Sequence, residues 1–242
     1  MQPDISIIVP LFNEVDNVAP LARQVLDALR GESRAIGLIL VDDASTDGTW
    51  EQIMTAHQAD PRVRGLRHAR NGGQSAALWT GFRATQAPII VTLDGDLQND
   101  PADLPRLLAG LEQYDLVCGM RLARQDNFLR RVSSRIARTA RKTVLGVDFR
   151  DTGCGFRAFK RTVLDRLFAF NGFHRFMPVL AHYTGARVCE IPVNHRQRIA
   201  GTSKYGIWNR FGRGIIDLFA VAWYKKRMIP PIPVTPFPPA TG

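Results

Sequence analysis

Cysteine is scarce in this chain, and what there is lies scattered. Cys118, Cys154 and Cys189 form no Cys-x-x-Cys pair and no Cys/His cluster, which argues against a zinc site. Three thiols so far apart are expected to stay reduced in a cytosolic compartment. Long apolar runs are also missing. The stretch Gly214 to Tyr224 contains Asp217 and ends at Lys225-Lys226-Arg227, far short of the roughly 20 apolar residues a membrane span needs. The N-terminus opens on a strand-like segment rather than a charged region and an apolar core, so no signal peptide is expected. Acid is in short supply as well: 22 Asp and Glu stand against 32 Lys and Arg, a net charge of +10. Such a balance suits anionic partners, whether nucleic acid, anionic headgroups or phosphorylated substrates. The excess sits in two stretches, Arg121 to Lys142 and Arg187 to Arg227.

Several motifs are absent, and each absence removes a function. No Gly-x-Gly-x-x-Gly follows the first strand, which argues against a dinucleotide-binding dehydrogenase. No Gly-x-x-x-x-Gly-Lys-Ser/Thr excludes a P-loop enzyme, and no Gly-x-Ser-x-Gly elbow supports serine hydrolase chemistry. No recognition motif accompanies the basic charge, so nucleic acid is not expected as a partner.

What is present is an alternation of strand and helix. Ile5 to Val9, Ile36 to Val41, Val63 to Arg67, Ile89 to Leu93 and Tyr114 to Gly119 read as strands. Between them Val15 to Leu29, Thr49 to His57 (capped by Ser45 or Thr46), Gln74 to Ala84 and a helix around Asp103 to Leu111, entered through Pro101, read as helices. At 242 residues the chain can bury a proper core. The pattern predicts an α/β fold, a mostly parallel sheet flanked by helices, with every β-to-α loop on one edge. Beyond residue 120 it changes. Phe128 to Leu145 reads as a basic amphipathic helix with Val132, Ile136, Ala140 and Val144 on one stripe. Asp151 to Lys160 is a Gly-rich loop leading to a strand or turn, and Val163 to Phe170 is helical. Arg187 to Pro192 is strand-like, Arg196 to Lys204 a polar loop, and Ile207 to Lys226 a helix. The Pro-rich tail from residue 229 or 230 to 242 is expected to be disordered.

Asp94-Gly95-Asp96 follows the β-branched strand directly, at the sheet edge where open α/β sheets bind ligands. Two close carboxylates repel, and a divalent cation bridging them to a phosphate-bearing substrate relieves that. Pro10-Leu11-Phe12-Asn13-Glu14, Asp42 to Gly48 and Asn71-Gly72-Gly73-Gln74 fall on the same edge. Alone each serves as turn chemistry; together they point to a nucleotide-type ligand.

Ile7 to Glu14, Val41 to Thr49 and Leu93 to Gln98 resemble family 2 glycosyltransferases. Gly119-Met120-Arg121, Asp151 to Phe159 and Arg198 to Tyr205 resemble more narrowly their polyprenyl-phosphate branch, the dolichol-phosphate mannose synthase-like enzymes. The resemblance spans residues 4 to 225. It implies a GT-A (Rossmann-like) domain over 1–204, a C-terminal amphipathic helix over 205–228 and a tail over 229–242. It implies an inverting transfer of a hexosyl, mannose-like unit from a GDP- or UDP-linked donor to a polyprenyl phosphate.

By the same resemblance Pro10, Phe12 and Glu14 border the nucleotide, Asp42 faces its base with Asp43 beside it, and Asp94 and Asp96 hold Mg2+ or Mn2+ near Gln98. A lipid phosphate is already ionised, so no obligatory base is expected, and arginines suit it because their fork binds two oxygens at once. Arg121, Arg131, Arg196, Arg198, Ser203 and Lys204 are the acceptor-side candidates, and Asp151 either orients that side or caps a loop. Arg130, Arg135 and Arg138 are expected on the surface, His174 and His195 as structural hydrogen-bonders, and Trp79 and Phe82 in helix core. Phe211, Ile215, Leu218, Phe219 and Trp223 fit an interfacial helix on the cytoplasmic membrane face, the alternatives being core packing or an oligomer seam. Two other functions stay open: transfer to a saccharide or lipid A-type acceptor, and a non-catalytic subunit of a membrane complex.

Overall fold

The computed structural model describes residues 2–121, 138–196 and 207–229. Its sheet is built from β1 (Ile5–Leu11), β2 (Ile36–Asp42), β3 (Val63–Arg67), β4 (Ile89–Thr92), β5 (Leu116–Arg121), β6 (Arg157–Lys160) and β7 (Val188–Val193), ordered β3-β2-β1-β4-β6-β5-β7. The first four strands run parallel, and β5 and β7 are parallel to each other. β6 is antiparallel to both its neighbours and joins the halves.

Helices cover both faces, which is why the strand residues are apolar without alternation. Ile5, Ile7, Val9, Leu38 and Leu40 point into one core, completed by α1 (Val15–Ala28), α2 (Thr49–Ala59) and α4 (Leu104–Gly110). Ile8, Ile39 and Val41 point into the other, with α3 (Gln74–Arg83), the helical segment α5 at 138–145, α6 (Arg161–Leu164), α7 (Phe173–Tyr183) and α8 (Ile207–Arg227). Trp79 and Phe82 belong to this second core, edge-on to Phe173.

Several elements depart from the sequence-based expectation. The α2 start is not capped by Ser45 or Thr46; Asp47 accepts the Thr49 N–H at 3.0 Å, while the Ser45 hydroxyl accepts the Asn13 N–H. The helix after Asp94 begins as a 3-10 turn, Pro101–Asp103. The helix expected over Val163 to Phe170 is only the short α6, ending at Leu164; residues 165–172 are turn and irregular chain, and α7, which was not expected, follows from Phe173. α7 carries Pro178, which cannot donate to the carbonyl of His174 one turn before. Buried Arg157 takes that place: its Nη1 donates to His174 O at 2.5 Å and its Nη2 to Thr152 O at 2.8 Å. The expected helix from Phe128 is described only at 138–145, where Arg138 and Lys142 pair with Asp148 on the surface. Arg130, Arg131, Arg135, Val132, Ile136, Arg198, Ser203, Lys204, Tyr205 and the tail from 230 lie outside the described residues.

α8 docks by one face and bares the other. Leu218 and Val221 are buried, the Tyr224 ring lies tilted against Phe168, and Lys225 donates to the Leu145 carbonyl at 3.1 Å. Leu218, expected on the outer stripe, therefore faces the core. Ile216, Phe219 and Trp223, at helical spacing on the opposite face, are 69%, 62% and 64% exposed.

Candidate functional site

Parallel strands deliver the loops after β1, β2, β3 and β4 to one edge, where those after β1, β2 and β3 are laced together. Asn13 sits in the left-handed region at φ 52, accepts the Thr46 N–H through Oδ1, and donates its own N–H to Ser45. Glu14 donates its N–H to Thr49 Oγ1 and its carboxylate accepts from Asn17. Pro10, Phe12 and Glu14 thus sit on the rim beside the Asp42 loop.

Asp42 has no exposed surface. Its Oδ1 accepts the Ser45 N–H at 2.9 Å. Its Oδ2 lies 3.1 Å from Arg67 Nε but receives no hydrogen bond. The Arg67 charge offsets the burial of this oxygen, whose unused lone pairs could still accept from a ligand donor. A cavity of about 480 Å3, lined by Ala44, Ser45, Arg67, His68 and Ala69, opens beside this loop. Asp43 is committed within the protein: it accepts the Gly72 and Gly73 N–H groups at 2.8 and 2.7 Å and contacts His68 Nδ1 at 2.6 Å. It shapes the loop that enters α3, where Gly73 adopts φ 83, a conformation glycine takes at little cost.

The entry of α3 reaches the acidic pair. Gln74 Nε2 donates to Asp94 Oδ1 at 2.9 Å, and Asp96 accepts the Gln98 N–H at 3.2 Å. Protein crowds the Asp94 carboxyl, and this desolvation, reinforced by the charge of Asp96, pushes its pKa up to about 6 against the pull of Arg121 and Arg157. A site that resists two negative charges is one a cation would relieve. Among the described residues no group of three or more His, Cys, Asp or Glu could hold a metal by itself. Two carboxylates completed by substrate phosphates suit Mg2+, which rarely uses an all-protein cage, so the residues present fit.

Across the edge, Arg121 ends β5. Its Nε and Nη2 donate to the two oxygens of Asp151 at 2.7 and 2.8 Å. Burial opposes this charge, but the Asp151 bonds outweigh it and hold the guanidinium above its ordinary pKa. Asp151, with both oxygens engaged, orients Arg121. The loop from Asp151 to Gly155 connects the two charge systems: a Cβ at Gly153 would lie 3.3 Å from Arg121 Nη2, and one at Gly155 would collide with the Asp94 carboxylate. Cys154, in that loop, and Cys118 are no nucleophiles, because burial pushes their thiols up to about 11 and 12.

Other expected site residues fall nearby. Arg196 donates to Gln24 Oε1 at 2.7 Å and Asp100 Oδ1 at 2.5 Å, and its N–H to Gln98 O. Its guanidinium ties the end of β7 to the segment after Asp96. His174 hydrogen-bonds Ser75, and His195 bridges to Asn99. Sequence reasoning missed Gln74, Gly155, Arg157 and Glu190 as site residues. The first lay within a turn already singled out, and the Gly-rich stretch contained the second; the other two are visible only through long-range contacts.

A family model described as glycosyl transferase family 2 matches residues 6–168. An undecaprenyl-phosphate 4-deoxy-4-formamido-L-arabinose transferase of Aeromonas hydrophila is 35% identical over 205 residues, 84% of this chain and 63% of that protein. The enzyme so named in Salmonella choleraesuis is 36% identical over 203 residues, 83% of this chain and 62% of its own length. The chain thus spans less than two thirds of these curated relatives. Among solved structures, a mannosyltransferase of Pyrobaculum calidifontis in complex with GDP-Man and Mn2+ superposes with a TM-score of 0.65 at 22% identity, covering 96% of this chain and 66% of that one. Glucosyl-3-phosphoglycerate synthase of Mycobacterium tuberculosis, in complex with Mg2+ and UDP, gives 0.67 at 18% identity over 94% of this chain and 80% of that one. The sheet and its flanking helices are those of GT-A glycosyltransferases.

Proposed function

The chain belongs to glycosyl transferase family 2, and we propose that it moves a glycosyl unit from a nucleotide-diphosphate sugar to a polyprenyl phosphate. The observation that carries this reading is the pairing on one edge of the Asp94/Asp96 carboxylates with an arginine, Arg121, fixed by Asp151. The relatives named for undecaprenyl phosphate support the acceptor class. They give no support to a mannose-like unit, since the sugar in their name is a formamido-arabinose.

In this reading Asp42 accepts from the nucleobase, and Pro10, Phe12 and Glu14 border the nucleoside. Asp94 and Asp96 would hold Mg2+ or Mn2+, which when bound acts as a Lewis acid on the departing diphosphate. Gln74 and Gln98 order the two carboxylate loops. An acceptor phosphate oxygen attacks the anomeric carbon, the bond to the diphosphate breaks, and configuration inverts. The nucleophile is already anionic, so Arg121 orients it and no residue has to remove a proton; catalysis is positioning and charge stabilisation. Arg131, Arg196, Arg198, Ser203 and Lys204 are further acceptor-side residues in this proposal.

Residues 1–204 form the catalytic domain and 205–228 its appended helix in the same reading. No helix among the described residues is long and apolar enough to cross a membrane. The bare stripe of Ile216, Phe219 and Trp223, followed by Lys226 and Arg227, suits the anionic surface of the cytoplasmic leaflet. The decisive experiment incubates the protein with Mn2+, undecaprenyl phosphate and a panel of GDP- and UDP-sugars, reading nucleotide release. Lipid-dependent release with one donor is expected. Absence of release with every donor, together with absence of Mn2+ binding, overturns the enzymatic reading.

A further inference from the structure

Arg121 is aimed by Asp151, and Asp151 is itself held from β7. Glu190 places one oxygen on each of two successive backbone groups: Oε2 accepts the Arg150 N–H and Oε1 the Asp151 N–H, both at 2.8 Å. We infer that Glu190 is a positioning residue for the acceptor side of the transfer, stapling the Arg150–Asp151 backbone so that Asp151 presents Arg121 to the acceptor phosphate. The inference rests on the role of Arg121 proposed above.

β5, which ends in Arg121, and β7, which carries Glu190, are hydrogen-bonded neighbours with Cys118 opposite Glu190 and Arg121 opposite Val193. Both ends of the relay therefore ride on one rigid ladder. What could move is the chain from 146 to 156, which leaves α5 and returns to β6. A carboxylate suits the staple because both its oxygens only accept, while the two N–H groups it meets only donate. Removing it would take away the acceptor that fixes those two donors and let the Asp151 carboxylate shift away from Arg121. A small misplacement of a substrate-orienting group costs far more in rate than in stability.

The test uses the full chain and the donor that the release assay identifies. In Glu190→Ala the KM for undecaprenyl phosphate is expected to rise about tenfold or kcat to fall by a similar factor, with donor KM and Mn2+ affinity by calorimetry within about twofold. Glu190→Gln, which keeps one accepting oxygen, should lie between Glu190→Ala and the unaltered protein. If Glu190 acts through Asp151, adding Glu190→Ala to Asp151→Asn costs nothing further. A second readout needs no turnover: the 15N-detected Arg121 Nε–H signal, assigned by its loss in Arg121→Lys, should be slow to exchange and should vanish or exchange rapidly in Glu190→Ala. Equal losses in donor and acceptor KM, or full additivity with Asp151→Asn, overturn the inference. So does an Arg121 signal that survives unchanged. If the unaltered protein transfers nothing, the functional reading fails, and the Arg121 signal alone decides the role of Glu190.

Discussion

At the donor end of the edge, Asp43 grips the backbone of Gly72 and Gly73 and Asn13 locks to Ser45 and Thr46. At the end proposed to take the acceptor, Glu190 grips the Arg150–Asp151 backbone in a similar way, but the groups that would face substrate are set by ion pairs, Arg121 with Asp151 and Arg196 with Asp100. The donor loops follow neighbouring parallel strands and shape one another through peptide groups. The acceptor segments come from strands that the antiparallel β6 has separated from the first four, and they are aligned by ionised groups. In the proposed function, backbone ties would give the nucleotide a preformed bed, whereas the ion pairs would leave the acceptor end dependent on a few side chains.

The largest expected effect falls on the acidic pair. Asp96→Ala should bring turnover to background while circular dichroism and the melting temperature stay unchanged; activity at the original level would show that the acidic pair is not the diphosphate site. Gly155→Ala comes next. Its methyl group would meet the Asp94 carboxylate, so steady-state kinetics should show a loss of about a hundredfold in kcat without unfolding. Normal kcat would mean that the acceptor-side loop does not constrain the donor carboxylate. Asp43→Asn acts on the donor end alone. An amide offers one accepting oxygen where two glycine N–H groups need two, and the buried mismatch should cost about 1–3 kcal/mol in urea unfolding. The donor KM should rise and the acceptor KM stay constant; a rise in both would erase the contrast between the two ends.

The smallest effect lies away from the site, where Asp115 joins β5 to Lys160 at the end of β6 and to Arg187 just before β7. Hydrogen bonds from Arg187, then the help of Lys160, hold this carboxyl well below the usual carboxylate range. Its folded pKa is depressed, so its contribution is complete at neutral pH and fades as pH falls below the ordinary value of about 3.9. Asp115→Asn should lower stability by about 0.5–1 kcal/mol at pH 7, and the difference from the unaltered protein should begin to shrink below about pH 4 and keep shrinking as the solution becomes more acidic. A difference that does not change at all down to the lowest pH at which both proteins stay folded would assign it to packing.

The first five strands and the acidic pair were legible because their signals are local: β-branched runs, punctuated by glycine, with carboxylates just past the strand. The insertion of β6 was not, since Arg157–Lys160 looks no different as an antiparallel strand. α7 hid behind Pro178, whose missing N–H is excused only by an arginine from β6. Asp151 was noticed without its purpose, because the choice between orienting and capping depends on Arg121 being 30 residues away in sequence and 2.7 Å away in space.

β6 also sets a timetable. It follows β4 and β5 in the chain yet lies between them in the sheet. A ribosome adding about 5–20 residues per second releases β3, β2, β1 and β4 well before it. Those four can assemble as a parallel half-sheet while the outer edge of β4 still has no ladder, and an open strand edge invites pairing with another chain. β5 has no neighbour in that half-sheet and must wait. β5 can join the sheet only after synthesis has passed residue 160, and the second half, with Glu190 behind Asp151, is complete only once β7 has followed at residue 193.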